Sequence, residues 1–144
     1  MARYECAFVT PAAATNAALF DIRTSAGVRT RVLEIGLFST AATAVTPSLE
    51  RSTTLGTTST TVVPQATEPG DPSAVSVIGT AWSVAPASTA VPLRRIALPA
   101  NIGAGFIWTF GNGGLVIPVS SSLVIMNRLG TTGPIMNGYV VLDE

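Results

Sequence analysis

The chain consists of short runs rich in Val, Ile, Thr and Phe that alternate with clusters of Gly, Pro, Ser and Thr. Few segments have the apolar spacing of an amphipathic helix, whereas β-branched and aromatic runs bounded by turn residues are typical of strands. The runs continue over all 144 residues without a fixed repeat or a domain-scale linker. This pattern predicts one all-β domain, an antiparallel sandwich or barrel of about eight or more strands.

The first run lies within residues 1–10 and is predicted to be either a first strand or an N-terminal arm that pairs with a neighbour's sheet edge. The run 48–56 is predicted as a strand or an irregular edge. The other predicted strands are 19–24, 28–39, 76–86, 93–99, 106–110, 115–119, 123–129 and 137–144.

The run 28–39 has the clearest alternation. Leu33, Ile35 and Leu37 are predicted to share one face, which leaves Val32, Glu34, Gly36 and Phe38 on the other. One face then packs on a core while the other meets solvent or a neighbour, and Glu34 is predicted to be solvated or paired with an arginine.

Two segments carry strong turn signals. Residues 68–72 (Glu-Pro-Gly-Asp-Pro) predict an exposed turn, because proline fixes φ and glycine accepts positive φ. Residues 111–114 (Gly-Asn-Gly-Gly) predict a hairpin between the runs 106–110 and 115–119 for the same reason.

Charge is scarce and balanced. Charged residues make up 11% of the chain, the net charge is zero, and there is no lysine. The arginines form no basic stripe, so we expect no nucleic-acid partner. Low charge favours association, and arginine is the preferred cation at desolvated interfaces, although the codon bias of a GC-rich genome also explains its exclusive use. No secretory signal or 18-residue apolar stretch is present, so we expect no membrane partner and synthesis in a cytoplasm.

The residues that most enzymes need are missing. Without histidine there is no Ser-His-Asp triad, no Cys-His pair and no three-histidine metal centre, and without lysine there is no Schiff base. Cys6 has no partner for a disulfide and is predicted to be buried in the first strand. Glu34 and Glu50 are the carboxylates weighed as a glycosidase pair, but nothing in the sequence brings them together. We therefore expect no catalytic, cofactor-binding or metal-binding residue, no cofactor, and no small-molecule ligand.

The aromatic residues allow two interpretations. Trp82, Trp108, Phe110 and Tyr139 form either an aromatic platform for a sugar or, as we favour, sandwich core and subunit contacts. Five residues are candidates for a subunit or partner interface: Arg94, Arg95, Trp82, Trp108 and Tyr4.

The C-terminal third resembles a known group of proteins. The segments 105–110 (Gly-Phe-Ile-Trp-Thr-Phe), 115–118 (Leu-Val-Ile-Pro), 122–125 with Asn127, and 138–144 (Gly-Tyr-Val-Val-Leu-Asp-Glu) are similar to the closing strands of small jelly-roll proteins of tailed phages, including head decoration, or cement, proteins. The resemblance implies a single-domain antiparallel jelly-roll β-sandwich over residues 1–144, often a homotrimer. It transfers no catalytic residue.

The same resemblance implies a non-enzymatic structural protein of the virion that contacts the major capsid protein or another virion protein. The alternative is a carbohydrate- or receptor-binding jelly-roll module of a phage tail or another virion part, with Trp82 or Trp108 as the platform. A third possibility is a trimeric interaction domain unrelated to any virus.

Overall fold

A computed structural model of the chain describes residues 1–111 and 113–144, and within them every regular element is a strand. The strands are β1 (Arg3–Val9), β2 (Ala18–Arg23), β3 (Thr30–Ser39), β4 (Pro47–Thr54), β5 (Thr57–Val62), β6 (Gln65–Ala66), β7 (Val77–Val84), β8 (Ala87–Arg95), β9 (Gly105–Thr109), β10 (Leu115–Ile117), β11 (Ser122–Asn127) and β12 (Met136–Asp143).

The strands form two antiparallel sheets that pack face to face. In sheet A the order is β6-β1-β12-β3, and both β9 and β10 pair with the far side of β3. In sheet B the order is β5-β7-β2-β11-β4-β8. Nested pairs connect the two halves of the chain: β1 with β12 and β3 with β10 in sheet A, β2 with β11 and β4 with β8 in sheet B. An antiparallel ribbon wound alternately through two sheets is a jelly roll, so the predicted single-domain jelly-roll β-sandwich is confirmed.

The N-terminal segment is a strand of this ribbon. All seven residues of β1 pair with β12, and Tyr4 and Glu5 also pair with β6 on the other side. Of the two predicted alternatives, the structure has the first strand rather than a free arm, because one side of the β1 backbone is fully occupied within the chain.

The core lies between the sheets and takes side chains from both. Phe8 of sheet A and Phe20 of sheet B meet with ring centroids 4.6 Å apart. Cys6 packs against this core half-buried rather than buried, and burial raises the pKa of its thiol to about 11. Burying each large apolar side chain stabilises the fold by about 1.5–3 kcal/mol, which makes this interior the main source of stability.

The predicted faces of β3 are partly wrong. The register with β12 moves from Glu34 opposite Val141 to Val32 opposite Leu142, which leaves Leu33 as an extra residue. Such a bulge shifts the alternation by one. Val32 therefore joins Ile35 and Leu37 in the core, Leu33 is only half-buried, and Glu34 stays on the outer face.

The predicted hairpin at 111–114 is also wrong. β9 and β10 do not pair with each other but follow one another along the same edge of β3, and Phe110 continues that line by donating its N–H to the Leu33 carbonyl. Gly113 and Gly114 have positive φ, as a hairpin would require, but here they lie between two strands, β9 and β10, that run in the same direction along β3. Asn112 lies outside the described residues.

The segment between β4 and β8 closes one side of the sandwich. It adds β5 and β7 to sheet B beside β2, and β6 to sheet A beside β1. Its entry depends on Gly56, which has φ of 64° and whose carbonyl, like that of Leu55, accepts a hydrogen bond from Arg23.

Gly56→Ala should destabilise the protein by about 2–4 kcal/mol, because positive φ strain adds to overpacking. A Cβ at this position would lie 2.2 Å from the Val84 carbonyl oxygen, a backbone atom that cannot rotate away. Gly27→Ala is the matched control: its φ is 87° but no atom lies within 4 Å of the added Cβ, so it should cost only about 1 kcal/mol. Urea unfolding of the three proteins measures both values, and equal losses would show that the backbone contact is not limiting.

Candidate interaction surface

The five candidate interface residues separate into three groups. Arg94 and Arg95 are exposed on β8, the edge strand of sheet B. Trp82 is half-buried and packs on Ala18, Val124 and Met126. Tyr4 and Trp108 lie in the core instead, 2% and 8% exposed, because their side chains in β1 and β9 point inward. Neither side chain is available to a partner.

Two apolar side chains that the sequence analysis did not select lie beside the arginines. Val91 and Leu93 of β8 are 68% and 44% exposed. We call Val91, Leu93, Arg94 and Arg95 the β8 edge surface. Exposed apolar groups flanked by arginines resemble the composition of protein interfaces, where arginine is enriched and lysine is depleted.

The backbone of β8 is irregular for an edge strand. Its pairing with β4 contains three register shifts, Ala90 has φ of 57°, and Pro92 lacks an N–H. Bulges and proline protect an edge against unspecific pairing with other strands. The β8 edge surface therefore presents its side chains without offering a regular backbone template.

Arg94 connects the β8 edge to sheet A. Its guanidinium carbon lies 4.4 Å from the centroid of the Phe110 ring, within the range of a cation–π interaction. Arg51 of β4 makes a second link, since its Nη1 donates to the Val116 carbonyl at 3.2 Å. Both contacts fix the edge of sheet B relative to the neighbouring edge of sheet A.

A buried carboxylate holds β8 against β4. Glu50 is fully buried and accepts hydrogen bonds from Ser48 at 2.7 Å and from Ser88 of β8 at 2.5 Å. Arg128, just after β11, binds both carboxylate oxygens through Nε at 2.8 Å and Nη2 at 2.5 Å. Although burial raises the pKa of Glu50, the hydrogen bonds from Arg128, Ser88 and Ser48 outweigh it and lower that pKa to about 2.

A second buried carboxylate has the opposite balance. Asp21 of β2 is fully buried, and its Oδ2 accepts a hydrogen bond from Arg23 at 2.5 Å. Its Oδ1 has no hydrogen-bond partner among the described residues, and the same holds for Nε1 of Trp82 beside it. Burial raises the pKa of Asp21 to about 6, against the opposing effect of Arg23.

No pair of these carboxylates is open to a substrate in this structure. Glu34 lies on the outer face of sheet A, where the Tyr139 hydroxyl donates to it at 2.6 Å and this bond raises the pKa of Tyr139 to about 12. Glu50 lies on the outer face of sheet B, where Ser88 and Arg128 cover it. Glu34 and Glu50, the predicted glycosidase pair, are therefore on opposite sides of the sandwich. Asp21 and Glu50 share a sheet face on either side of Val124, but both are enclosed by their arginines.

Further chemical groupings are sparse. Within residues 1–111 and 113–144, no cluster of three or more His, Cys, Asp or Glu side chains has the spacing of a metal site. In the same residues there is no helix with the length and apolar character needed to span a membrane.

No protein-family model, curated protein or solved structure matches the chain.

The opposite environments of Asp21 and Glu50 predict a stability maximum near pH 4–5. Between pH 3.8 and about 6 folded Asp21 keeps a proton that the unfolded chain has released, so raising the pH across this window lowers the free energy of unfolding, by about 3 kcal/mol. Between about pH 2 and 4.5 unfolded Glu50 holds a proton that the folded state lacks, so lowering the pH across this window also lowers stability.

Urea unfolding from pH 3 to pH 7 measures this profile. Asp21→Asn should flatten the loss of stability as the pH rises above 4, and Glu50→Gln should flatten the loss of stability as the pH falls below 4. Each variant is therefore a control for the other. A wild-type protein that is more stable at pH 6.5 than at pH 4.5, with Asp21→Asn unchanged in slope, would contradict the assignment of Asp21.

Proposed function

We propose that the chain is a non-enzymatic structural protein of a virion, a decoration or cement subunit that stabilises a shell through protein–protein contacts. The β8 edge surface is the observation that carries the proposal, because it places two exposed apolar side chains and two arginines on an edge that is held rigidly and guarded against unspecific pairing. Its partners are other copies of itself, as a homotrimer, and the major capsid protein or another virion protein. It is made in the host cytoplasm and resides in the virion.

In this mechanism the subunit stabilises the shell by binding to neighbouring proteins, without a chemical reaction. Val91 and Leu93 bury apolar area on the neighbouring protein, worth about 25 cal/mol per Å², while Arg95 pairs with a carboxylate at the rim. One such contact is weak, but several copies joined in one oligomer bind many sites of a lattice together, and avidity then exceeds the affinity of a single contact.

The jelly-roll topology and the scarcity of charge support this role. A surface with few charges and many hydroxyl groups is poorly suited to a free protein at high concentration but suits a subunit that is covered by neighbours. The protection of β8 fits a protein that has to associate at defined sites without open-ended aggregation.

One observation favours a second candidate, a carbohydrate- or receptor-binding module. Trp108 is buried and Trp82 is packed on its own sheet, so neither offers the platform expected from the sequence. Phe38 and Tyr139, however, lie half-buried on the outer face of sheet A, each ring over a glycine of the adjacent strand, Gly105 and Gly36. A glycan array that binds the wild type but not Tyr139→Ala would favour this candidate, and an array without signal would count against it.

Leu93→Asp and Val91→Asp should each reduce shell binding at least about tenfold, because a carboxylate then has to be desolvated in the contact. The probe is virus particles purified on a density gradient from cells infected with the virus that carries the gene, stripped of the chain and titrated with tagged protein. Val9→Asp, at a residue 57% exposed on the outer face of sheet A, is the matched control and should bind normally.

Two results would overturn this proposal. The first is that mass spectrometry finds no copy of the chain in the purified particles. The second is that Val9→Asp weakens binding as much as the two β8 variants, all three proteins having wild-type thermal unfolding.

A further inference from the structure

Two adjoining depressions lie where the first strand, the last strand and the segment before β7 meet. The larger, of about 500 Å³, is lined by Arg3, Arg31, Leu33, Phe110, and the glycines 111 and 113. The smaller, of about 320 Å³, is lined by Ala2, Thr67, Glu68 and Asp71. Met1, Arg3 and Asp143 line both, so a basic surface and an acidic surface stand side by side on the chain.

The basic depression holds an arginine whose charge is not neutralised. Arg3, Asp143 and Arg31 are neighbours across β1, β12 and β3, and the Asp143 carboxylate is paired with Arg3 at 3.1 Å. Arg31 instead donates from Nη1 to the Gly113 carbonyl at 2.8 Å. In the part of the chain that the structure describes, no carboxylate forms an ion pair with Arg31.

The acidic depression is formed by a turn that is fastened in place. The Asp71 N–H donates to the Glu68 carbonyl at 3.3 Å, and Gly70 has φ of 103°. The Tyr4 hydroxyl donates to the Pro72 carbonyl at 3.0 Å, which ties the end of the turn to β1. Neither Glu68 nor Asp71 forms an ion pair among residues 1–111 and 113–144.

The end of the chain adds to this rigidity. The Glu144 carboxylate accepts hydrogen bonds from the N–H groups of Val75 and Ser76, at 2.9 Å and 2.8 Å. The turn at 68–72 is therefore bracketed by contacts on both sides, so little conformational freedom is lost when a partner docks on it.

We propose that the acidic turn of one copy docks in the basic depression of a second copy, with Glu68 and Asp71 meeting Arg31 and Arg3. The inference rests on the self-assembly in the proposed function and names its contact. A second copy is the occupant that the charges favour, because both complementary surfaces, each with unpaired charge, are present on one chain of zero net charge.

Apolar groups make the contact more than a charge pair. Met1, which lines both depressions, is 81% exposed, and Leu33 and Phe110 line the basic one. Arginine adds directionality, since its planar fork binds a carboxylate through two hydrogen bonds. Passing the turn from each copy to the next is a heterologous contact, which builds a ring when the rotation between copies closes.

The test is charge reversal read out by light scattering after size exclusion, from about 1 to 100 µM protein. Arg31→Glu, and separately Glu68→Arg with Asp71→Arg, should raise the dissociation constant of the wild-type oligomer about 10- to 100-fold, because like charges then face each other. The combined variant, Arg31→Glu with Glu68→Arg in one chain, should regain the wild-type mass, since that ion pair is restored with opposite polarity while Asp71 still faces Arg3.

Arg95→Glu is the matched control, with the same change of net charge on a residue that lines neither depression. It should keep the oligomer and weaken only shell binding. The combined variant also guards against a folding defect, because an unfolded Arg31→Glu protein would not be rescued by changes in the turn.

The outcomes separate the two proposals. An oligomer that Arg31→Glu and the reversed turn leave intact would overturn this contact while leaving self-assembly in place. A wild-type chain that is monomeric over the whole concentration range would overturn both self-assembly and the contact, and would leave the β8 edge surface to be judged by particle binding.

Discussion

The position of β8 depends on one buried carboxylate. A charge removed from water is tolerated only where partners replace its hydration, and Glu50 has four such hydrogen bonds, from Ser48, Ser88 and twice from Arg128. These partners belong to β4, to β8 and to the residue after β11, so the network ties together the three last elements of sheet B. Without it β8, which has a neighbour on one side only and irregular pairing there, would lose the contacts that Ser88 makes with Glu50 and Arg128 on that face.

That anchoring decides what the edge can do. An edge strand is usually either regular, and prone to open-ended pairing, or shortened and covered. Here the regular pairing of the backbone is interrupted at Ala90 and Pro92, while the Ser88–Glu50 and Arg94–Phe110 contacts anchor the strand before Val91 and after Leu93. Exposed apolar side chains on an anchored but irregular edge favour binding to a complementary partner surface over aggregation.

The sequence predicted the fold well where the alternation of side chains was regular and failed where an extra residue interrupted it. The runs that became β2, β3, β7, β11 and β12 were found because their apolar residues face one core. The bulge at Leu33 was invisible, since it arises from pairing with β12, which lies about a hundred residues further along the chain. Gly113 and Gly114 would take positive φ in a hairpin and take it here between two strands that run in the same direction, so the local sequence does not distinguish the two cases.

The candidate surface was only partly predictable for the same reason. Arg94 and Arg95 stood out as adjacent charges, but β8 begins at Ala87, before the predicted 93–99 run, so Val91 lay outside every predicted strand and was not considered. Tyr4 and Trp108 were selected as large aromatics, and only the sheet register reveals that they point inward. The pairing of Glu50 with Arg128 spans 78 residues and leaves no local signal.

The structure also bears on why this chain uses arginine alone. Arg128 donates to Glu50 through Nε and Nη2, to Asn16 through Nη1 and to Ser88 through Nη2, and Arg23 binds Asp21 together with two carbonyls. An ammonium group has three donors at one point and cannot reach partners on opposite sides of a planar fork. A codon bias explains why arginine is available everywhere, but at these two positions the geometry itself requires it. Among residues 1–111 and 113–144, the arginines that form no ion pair include Arg31, Arg94 and Arg95, and it is there that contacts with other subunits are proposed.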